Sequence, residues 1–318
     1  MNNTLPHTPD PARITLGMAY GMGAGALWGL VFLAPELVRA FTPLQLAIGR
    51  YLAYGAISAL ILAPRWRAVM ATITREAWLS LIWLALAGNT LYYVLLSAAI
   101  QMGGIAMTSL VIGFLPVAVT IIGSRDSGAV PLRRLAPSLA LCAAGAVCIG
   151  WQALAPISAG PASGARPMAG LLCAIGALVS WSAYAVGNSR SLARLGHVSG
   201  QDWNLLTGLV TGGQALLLIP VTVMSEPLRH GAAAWAGFGA VSLGVAVLAS
   251  VVGNTLWNRM SRLLPLTMVG QMILFETLFA LIYGFCWEGR LPHPLEIAAF
   301  ALVVVSVLTC IAVHRRHR

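Results

Sequence analysis

The polar side chains that interrupt this otherwise apolar chain fall into short groups with helical spacing. Asn89, Tyr92 and Tyr93 stand at i, i+3 and i+4, so a helix puts them on one face. Trp181, Tyr184 and Asn188 share a face in the same way, as do Asn254, Trp257 and Asn258, and Gln271 precedes Glu276 in a fourth run. Rings beside amides suit a small-molecule pocket, where apolar walls supply contact and a few polar groups orient the ligand. Asn89, Tyr92, Trp181 and Tyr184, with Trp28, Asn254 and Gln271, are the expected lining of such a cavity. Trp257, nearer a helix end, reads as an interfacial anchor.

Two charges lie inside apolar runs, Arg50 and Glu276. A charge at the bilayer centre costs roughly 2.5–3.5 kcal/mol on insertion scales, so each should face protein or a water-filled path. Arg50, one or two turns from a helix end, has a stem long enough to snorkel outward. Glu276 is central and serves either as a structural charge or as a carrier of a proton. Enzyme chemistry has no foothold. All six histidines (His7, His197, His230, His293, His314, His317) fall in loops or tails, and no nucleophile–base pair, paired intramembrane carboxylates or metal cluster occurs. The five cysteines sit singly in apolar runs without ligand spacing. Gly21-Met-Gly-Ala-Gly-Ala26 matches a dinucleotide fingerprint formally, but no strand precedes it, so no cofactor is expected.

The elements that position these residues follow from composition. Of 318 residues 58% are hydrophobic and 9% charged, against roughly 25% charged in a soluble domain. The excess apolar surface must face lipid. Ten segments approach the ~20 residues needed to cross a bilayer: 14–34, 42–63, 77–98, 104–123, 132–154, 168–188, 203–224, 236–257, 264–285 and 294–313. The longest connection, Pro156 to Pro167, separates residues 1–160 from 161–318, five helices each.

All 19 basic residues are Arg. With both termini cytoplasmic, 14 lie inside and 4 outside, Arg50 being the remaining one. Arginine clustered between apolar runs reads as topology, not as a nucleic-acid site. The halves echo each other: Gly25-Ala-Leu-Trp28 against Gly176-Ala-Leu-Val-Ser-Trp181, and Gly88-Asn-Thr-Leu-Tyr-Tyr93 against Gly253-Asn-Thr-Leu-Trp-Asn258. Five helices per half inverts the second half, and substrate sites of inverted-repeat carriers lie near the midplane. Gly17, Gly21, Gly25 and Gly29 form a stripe at four-residue spacing, which lets another backbone approach closely. Pro116 falls mid-helix in the fourth segment and should kink it.

At these residues the chain resembles the drug/metabolite transporter superfamily, in particular its ten-helix EamA-type exporters. The resemblance rests on Gly25-Ala-Leu-Trp-Gly29, on Phe41-Thr-Pro-Leu-Gln-Leu-Ala-Ile-Gly-Arg50 and on Phe275-Glu276, and covers nearly the whole chain. It implies two inverted five-helix repeats around a central cavity and export of amino acids or related metabolites by alternating access. Within the superfamily the Trp181-Ser-Ala-Tyr184 stretch, Leu206-Thr-Gly208 and Trp257-Asn258 are most similar to YddG-type exporters of aromatic and other neutral amino acids. Helix nine departs from the pattern, with Glu276-Thr277 where many relatives have Glu-Pro.

The expectation is therefore an all-α integral protein of the bacterial inner membrane, ten helices in two inverted repeats, exporting neutral and especially aromatic amino acids. Its partners would be that small molecule and the lipid bilayer, with no metal. An exporter of other amphipathic metabolites or drugs, or a passive solute channel, would fit the helix count and the cavity equally.

Overall fold

The computed structural model describes residues 11–125, 130–154, 165–225, 230–289, 291–292 and 294–316. The expected loop residues His7, His293, His317, Arg229, Arg290 and Arg318, and most of the Pro156–Pro167 connection, lie outside them. Among the described residues the chain is helical throughout and forms no strand. Eight stretches of the described residues are long and apolar enough to cross a membrane: Ala12–Leu37, Pro43–Met70, Arg75–Ile105, Met168–Arg194, Gly200–Met224, Ala232–Leu263, Leu266–Trp287 and Ile297–His314. Lipid supplies no hydrogen-bond partners, so the backbone must bond to itself, and helices do that.

In chain order the helices are α1 (Pro11–Gly29), α2 (Ala34–Leu37), α3 (Pro43–Leu62), α4 (Trp66–Met70), α5 (Arg75–Ala85), α6 (Leu91–Ile112), α7 (Leu115–Gly123) and α8 (Leu132–Leu154). They continue with α9 (Ala165–Arg194), α10 (Gly200–Ser225), α11 (Ala232–Val245), α12 (Asn254–Leu263), α13 (Leu266–Met272), α14 (Leu274–Glu288) and α15 (Pro294–Arg316). Local sequence sets several of their ends. Thr42 and Gln45 make a reciprocal capping box at the start of α3, with Pro43 in the first turn, where a missing N–H is harmless. Thr74 caps α5, and Gly289, with φ +62°, ends α14.

Several helices are interrupted inside the bundle. Gly104 adopts φ +83° within α6, a conformation that side-chain-bearing residues rarely take. Pro116, expected in the middle of a helix, is instead the second residue of α7; the interruption precedes it, at Gly113 and Phe114. Proline is at home there because the first-turn N–H groups have no partner within the helix. Two stretches widen into π-helix: Leu86–Thr90 between α5 and α6, and Ala246–Gly253 between α11 and α12.

The glycine stripe forms a close seam. α1 packs along α12, α13 and α14, and every stripe glycine meets that wall. A Cβ placed on Gly17 would lie 2.8 Å from the Leu264 side chain, and one on Gly21 2.7 Å from Met260 Sδ. On Gly25 it would lie 2.6 Å from Phe275 Cβ and 2.8 Å from the Glu276 backbone N, and on Gly29 2.9 Å from the Ala280 backbone N. At Gly25 and Gly29 the obstacle includes backbone, which cannot swing aside. A second close approach joins α3 to α10, where a Cβ on Gly55 would lie 2.7 Å from Gly212 Cα. The remaining seams pair α6 with α9, α7 with α13 and α8 with α15. His314, expected in the tail, is buried in α15 and 2.6 Å from Thr267 Oγ1.

Gly25→Leu should therefore separate α1 from α14. Even small overpacking costs about 1–3 kcal/mol, and a whole isobutyl group against backbone exceeds that. The expected result is a lower yield of monodisperse protein in detergent and a lower thermal unfolding midpoint. Normal yield with an unchanged midpoint would show that this seam tolerates separation.

Candidate functional site

The seam places Glu276 at the foot of a small cavity inside the bundle. The cavity is lined by Trp28, Val31, Arg50, Tyr51, Gly88, Asn89, Tyr92, Trp181, Tyr184, Asn254 and Glu276, and has a free volume of about 20 Å³. That is room for about one water molecule, against roughly 300–1,000 Å³ for small-molecule pockets in general. The structure thus holds the lining in a contracted arrangement.

Its wall is aromatic. Trp28 meets Trp181 edge-on at 5.7 Å between ring centroids and Trp257 at 4.9 Å; Trp181 meets Trp257 at 5.3 Å and Tyr184 at 5.8 Å. Tyr92 lies 6.3 Å from Trp181. Offset and edge-to-face pairs of this kind contribute about 0.5–1.5 kcal/mol each beyond area burial. The rings come from α1, α6, α9 and α12, so residues far apart in sequence share one surface. Trp28 is fixed by its indole N–H, which donates to the Ala249 carbonyl at 3.0 Å in the second π-helical stretch. Ser180 Oγ donates to the Ala87 carbonyl of the first π stretch at 2.6 Å.

The polar groups enter between the rings. Arg50 is only 5% exposed. Its Nε donates to Ser250 Oγ at 3.1 Å, and its guanidinium lies over the Tyr93 ring at 4.4 Å and the Tyr51 ring at 5.1 Å. The expected outward snorkelling does not occur: aromatic faces and a hydroxyl hold the cation inside the bundle. Glu276 is 4% exposed, and its Oε2 has no hydrogen-bond partner. Asn89 donates weakly to Thr211 Oγ1 at 3.4 Å. Nearby, Tyr54 donates to Asn204, whose Nδ2 donates in turn to the Val251 carbonyl at 2.9 Å and to Thr255 Oγ1 at 3.0 Å.

Of the residues expected at the cavity, the structure brings together Trp28, Asn89, Tyr92, Trp181, Tyr184 and Asn254, along with Arg50 and Glu276. Gln271 stands elsewhere, its Nε2 donating to Thr120 Oγ1 and its Oε1 accepting from Ser306, each at 3.4 Å. Asn188 and Asn258, which share faces with lining residues, bond to each other at 3.0 Å, and Trp203 Nε1 donates to Asn188 at 2.8 Å. Gly25 packs against the Phe275–Glu276 backbone behind the lining, and Pro116 is buried in the first turn of α7. Trp257, expected as an interfacial anchor, is buried to 1% exposure among the other tryptophans. Its i, i+3 relation to Asn254 was the sequence signal for this position. Tyr51, Gly88 and Val31 gave no comparable signal: Tyr51 adjoins Arg50, and the other two are small or plainly apolar.

A family model described as "EamA-like transporter family" matches residues 15–151 and again 168–312. The chain is 30% identical over 317 residues to "Inner membrane protein YtfF" of Escherichia coli (strain K12), covering 93% of this chain and 94% of that one. A solved structure superposes with a TM-score of 0.72 at 19% identity, over 95% of this chain and 98% of the other. That last likeness establishes the fold alone.

Gly88 offers a direct check on the lining. A Cβ there would lie 2.8 Å from Tyr184 Cδ1 and still nearer to two other ring atoms. Gly88→Ala should push the Tyr184 ring out of place and lower the unfolding midpoint, at a cost of about 1–3 kcal/mol. An unchanged midpoint would show that the ring yields freely.

Proposed function

This chain belongs to the EamA-like transporter family and is an integral membrane transporter, and on that premise we propose that it exports neutral amino acids, aromatic ones above all, by alternating access. The observation that carries the substrate class is the convergence of Trp28, Tyr92, Trp181 and Tyr184 with Asn89 and Asn254 on one buried cavity. An aromatic or large apolar side chain packs on the rings, and the amides bond the polar end. The contracted cavity supports a carrier over an open channel: a carrier must close around its substrate on the way across, whereas a channel keeps a continuous path.

The architecture we propose is ten spans in two inverted repeats, residues 1–160 and 161–318, in the bacterial inner membrane with both termini cytoplasmic. Three observations support it. The positive φ of Gly104 divides α6 near where the fourth segment was expected to begin. The family model matches twice, once in each half. The two π-helical stretches end at the related Gly88-Asn-Thr and Gly253-Asn-Thr sequences. Orientation rests on the 14-to-4 Arg asymmetry.

Trp181→Ala tests the substrate reading. Loss of one ring contact of about 0.5–1.5 kcal/mol predicts a several-fold weaker interaction with an aromatic substrate. In proteoliposomes, flux of labelled phenylalanine and tryptophan should fall more than flux of alanine or threonine, and wild-type flux should saturate and show counterflow. Equal loss for all substrates would make Trp181 a packing residue; non-saturable flux would make the protein a channel. For orientation, cysteines placed singly at Ser163 and Glu226, in a background lacking the five native cysteines, should react with an impermeant thiol reagent from outside. Those at Ser127 and His197 should not. Reaction of all four from one face would overturn the arrangement.

A further inference from the structure

We propose that Arg50 and Glu276 are a zwitterion clamp, the guanidinium binding the α-carboxylate of the substrate and the Glu276 carboxylate its α-ammonium group. The proposal rests on the amino-acid reading above and assigns that substrate's two charged ends to two side chains.

Arg50 and Glu276 are the charged members of the cavity lining. Each is more than nine-tenths buried, in α3 and α14 respectively. Among the described residues no ion pair joins them, although buried opposite charges in one cavity gain most by touching. They are held apart by what each is packed against. Arg50 is drawn toward α6 and the second π stretch by Tyr93 and Ser250. The Glu276 backbone is pinned against α1 by the Gly25 contact. Glu276 Oε2 is left without a hydrogen bond. A buried carboxyl oxygen without a partner forfeits its hydration, and a ligand that donates to it recovers that loss.

An α-amino acid supplies each of the two with an oppositely charged partner at once. Its carboxylate and ammonium are attached to the same carbon, so they reach a cation and an acid facing one small cavity without requiring those two to meet. The planar guanidinium matches a carboxylate, and a carboxylate accepts readily from an ammonium. The neutral sum of ligand charge leaves the pair balanced at membrane depth. A ligand with one charged end leaves the other protein charge uncompensated, which is how buried polar sites reject analogues lacking a group. The aromatic wall then sorts side chains, and the pair sorts α-amino acids from amines and acids. Because the two charges belong to different halves of the chain, the bound substrate also draws those halves together.

The experiment is competition against labelled phenylalanine on purified protein in detergent at neutral pH, with phenylalanine, phenethylamine and 3-phenylpropionate as competitors. In the wild type, phenylalanine should compete at least about tenfold better than either analogue, as expected for one charge-assisted hydrogen bond. Glu276→Gln should weaken phenylalanine about tenfold or more and change 3-phenylpropionate by less than about threefold. Arg50→Gln should weaken phenylalanine similarly and spare phenethylamine. Equal competition by all three ligands in the wild type would overturn the clamp, whether or not either variant folds. So would variants that fold, by gel filtration and thermal midpoint, yet lose all three ligands in parallel. Failure of folded wild type to bind labelled phenylalanine, alanine or threonine would instead sink the amino-acid reading, and the clamp with it.

Discussion

Lipid cannot hydrogen-bond, and that single property of the solvent organises this protein. Each backbone amide must bond within a helix, and each side-chain donor or acceptor at depth needs a partner inside the bundle. Most find one: Trp28 on a π-stretch carbonyl, Tyr54 on Asn204, Trp203 on Asn188, Gln271 between Thr120 and Ser306. Among the described residues twelve buried side-chain atoms have no hydrogen-bond partner, the Glu276 Oε2 and the Tyr92 hydroxyl among them. Both residues border the same cavity. Apart from Trp257 Nε1 the others are spread over the bundle, whereas these two lie where the rings converge.

Close packing follows from the same solvent. Helices in lipid gain little from hiding apolar side chains from one another, so association depends on contact and on small residues that permit it. α1 shows how this reaches the site. Its glycines let backbone rest against backbone along α14, which fixes the height and rotation of Glu276 relative to Trp28 one turn beyond Gly25. The stripe, which looks like mere packing, thereby sets the distance between an aromatic wall and a buried acid.

Much of this was legible in the chain. The apolar, helical character, the face-sharing triplets and the two charges within apolar runs follow from spacing alone, and the lining drew most of its members from them. What spacing could not give was depth and direction. Trp257 has the residue type of an interfacial anchor, and Arg50 has a stem long enough to snorkel; the structure turns both inward because Trp28, Tyr93 and Ser250 wait for them on other helices. Asn188 and Asn258 sit on the right faces but one turn too far along, where they satisfy each other. Pro116 was misplaced for a related reason: a proline marks a discontinuity, but its own position in the new helix depends on where the preceding turn breaks, here at Gly113 and Phe114. Gln271 shows the limit of residue type, since a buried amide is equally at home in a structural bond.

The π-helical stretches connect these strands. A widened turn moves backbone bonding from i+4 to i+5, and a carbonyl there has a second lone pair for a donor from elsewhere; Ala249 takes the Asn254 N–H as well as the Trp28 indole. In the first stretch Ala87 accepts from Ser180 on α9; in the second Ala249 accepts from Trp28 on α1. Ser180 adjoins Trp181, so in both cases the donor is a cavity tryptophan or its neighbour, and in both it comes from the helix that opens the opposite half. Each half therefore lends a carbonyl to the other beside the rings that line the cavity. This reciprocity is what an inverted repeat would produce, and it gives the irregular turns a physical purpose. With the Arg50–Ser250 and Asn89–Thr211 bonds they join the halves beside the cavity, so a change in how the halves meet at Trp28 and Ser180 is felt by the aromatic wall.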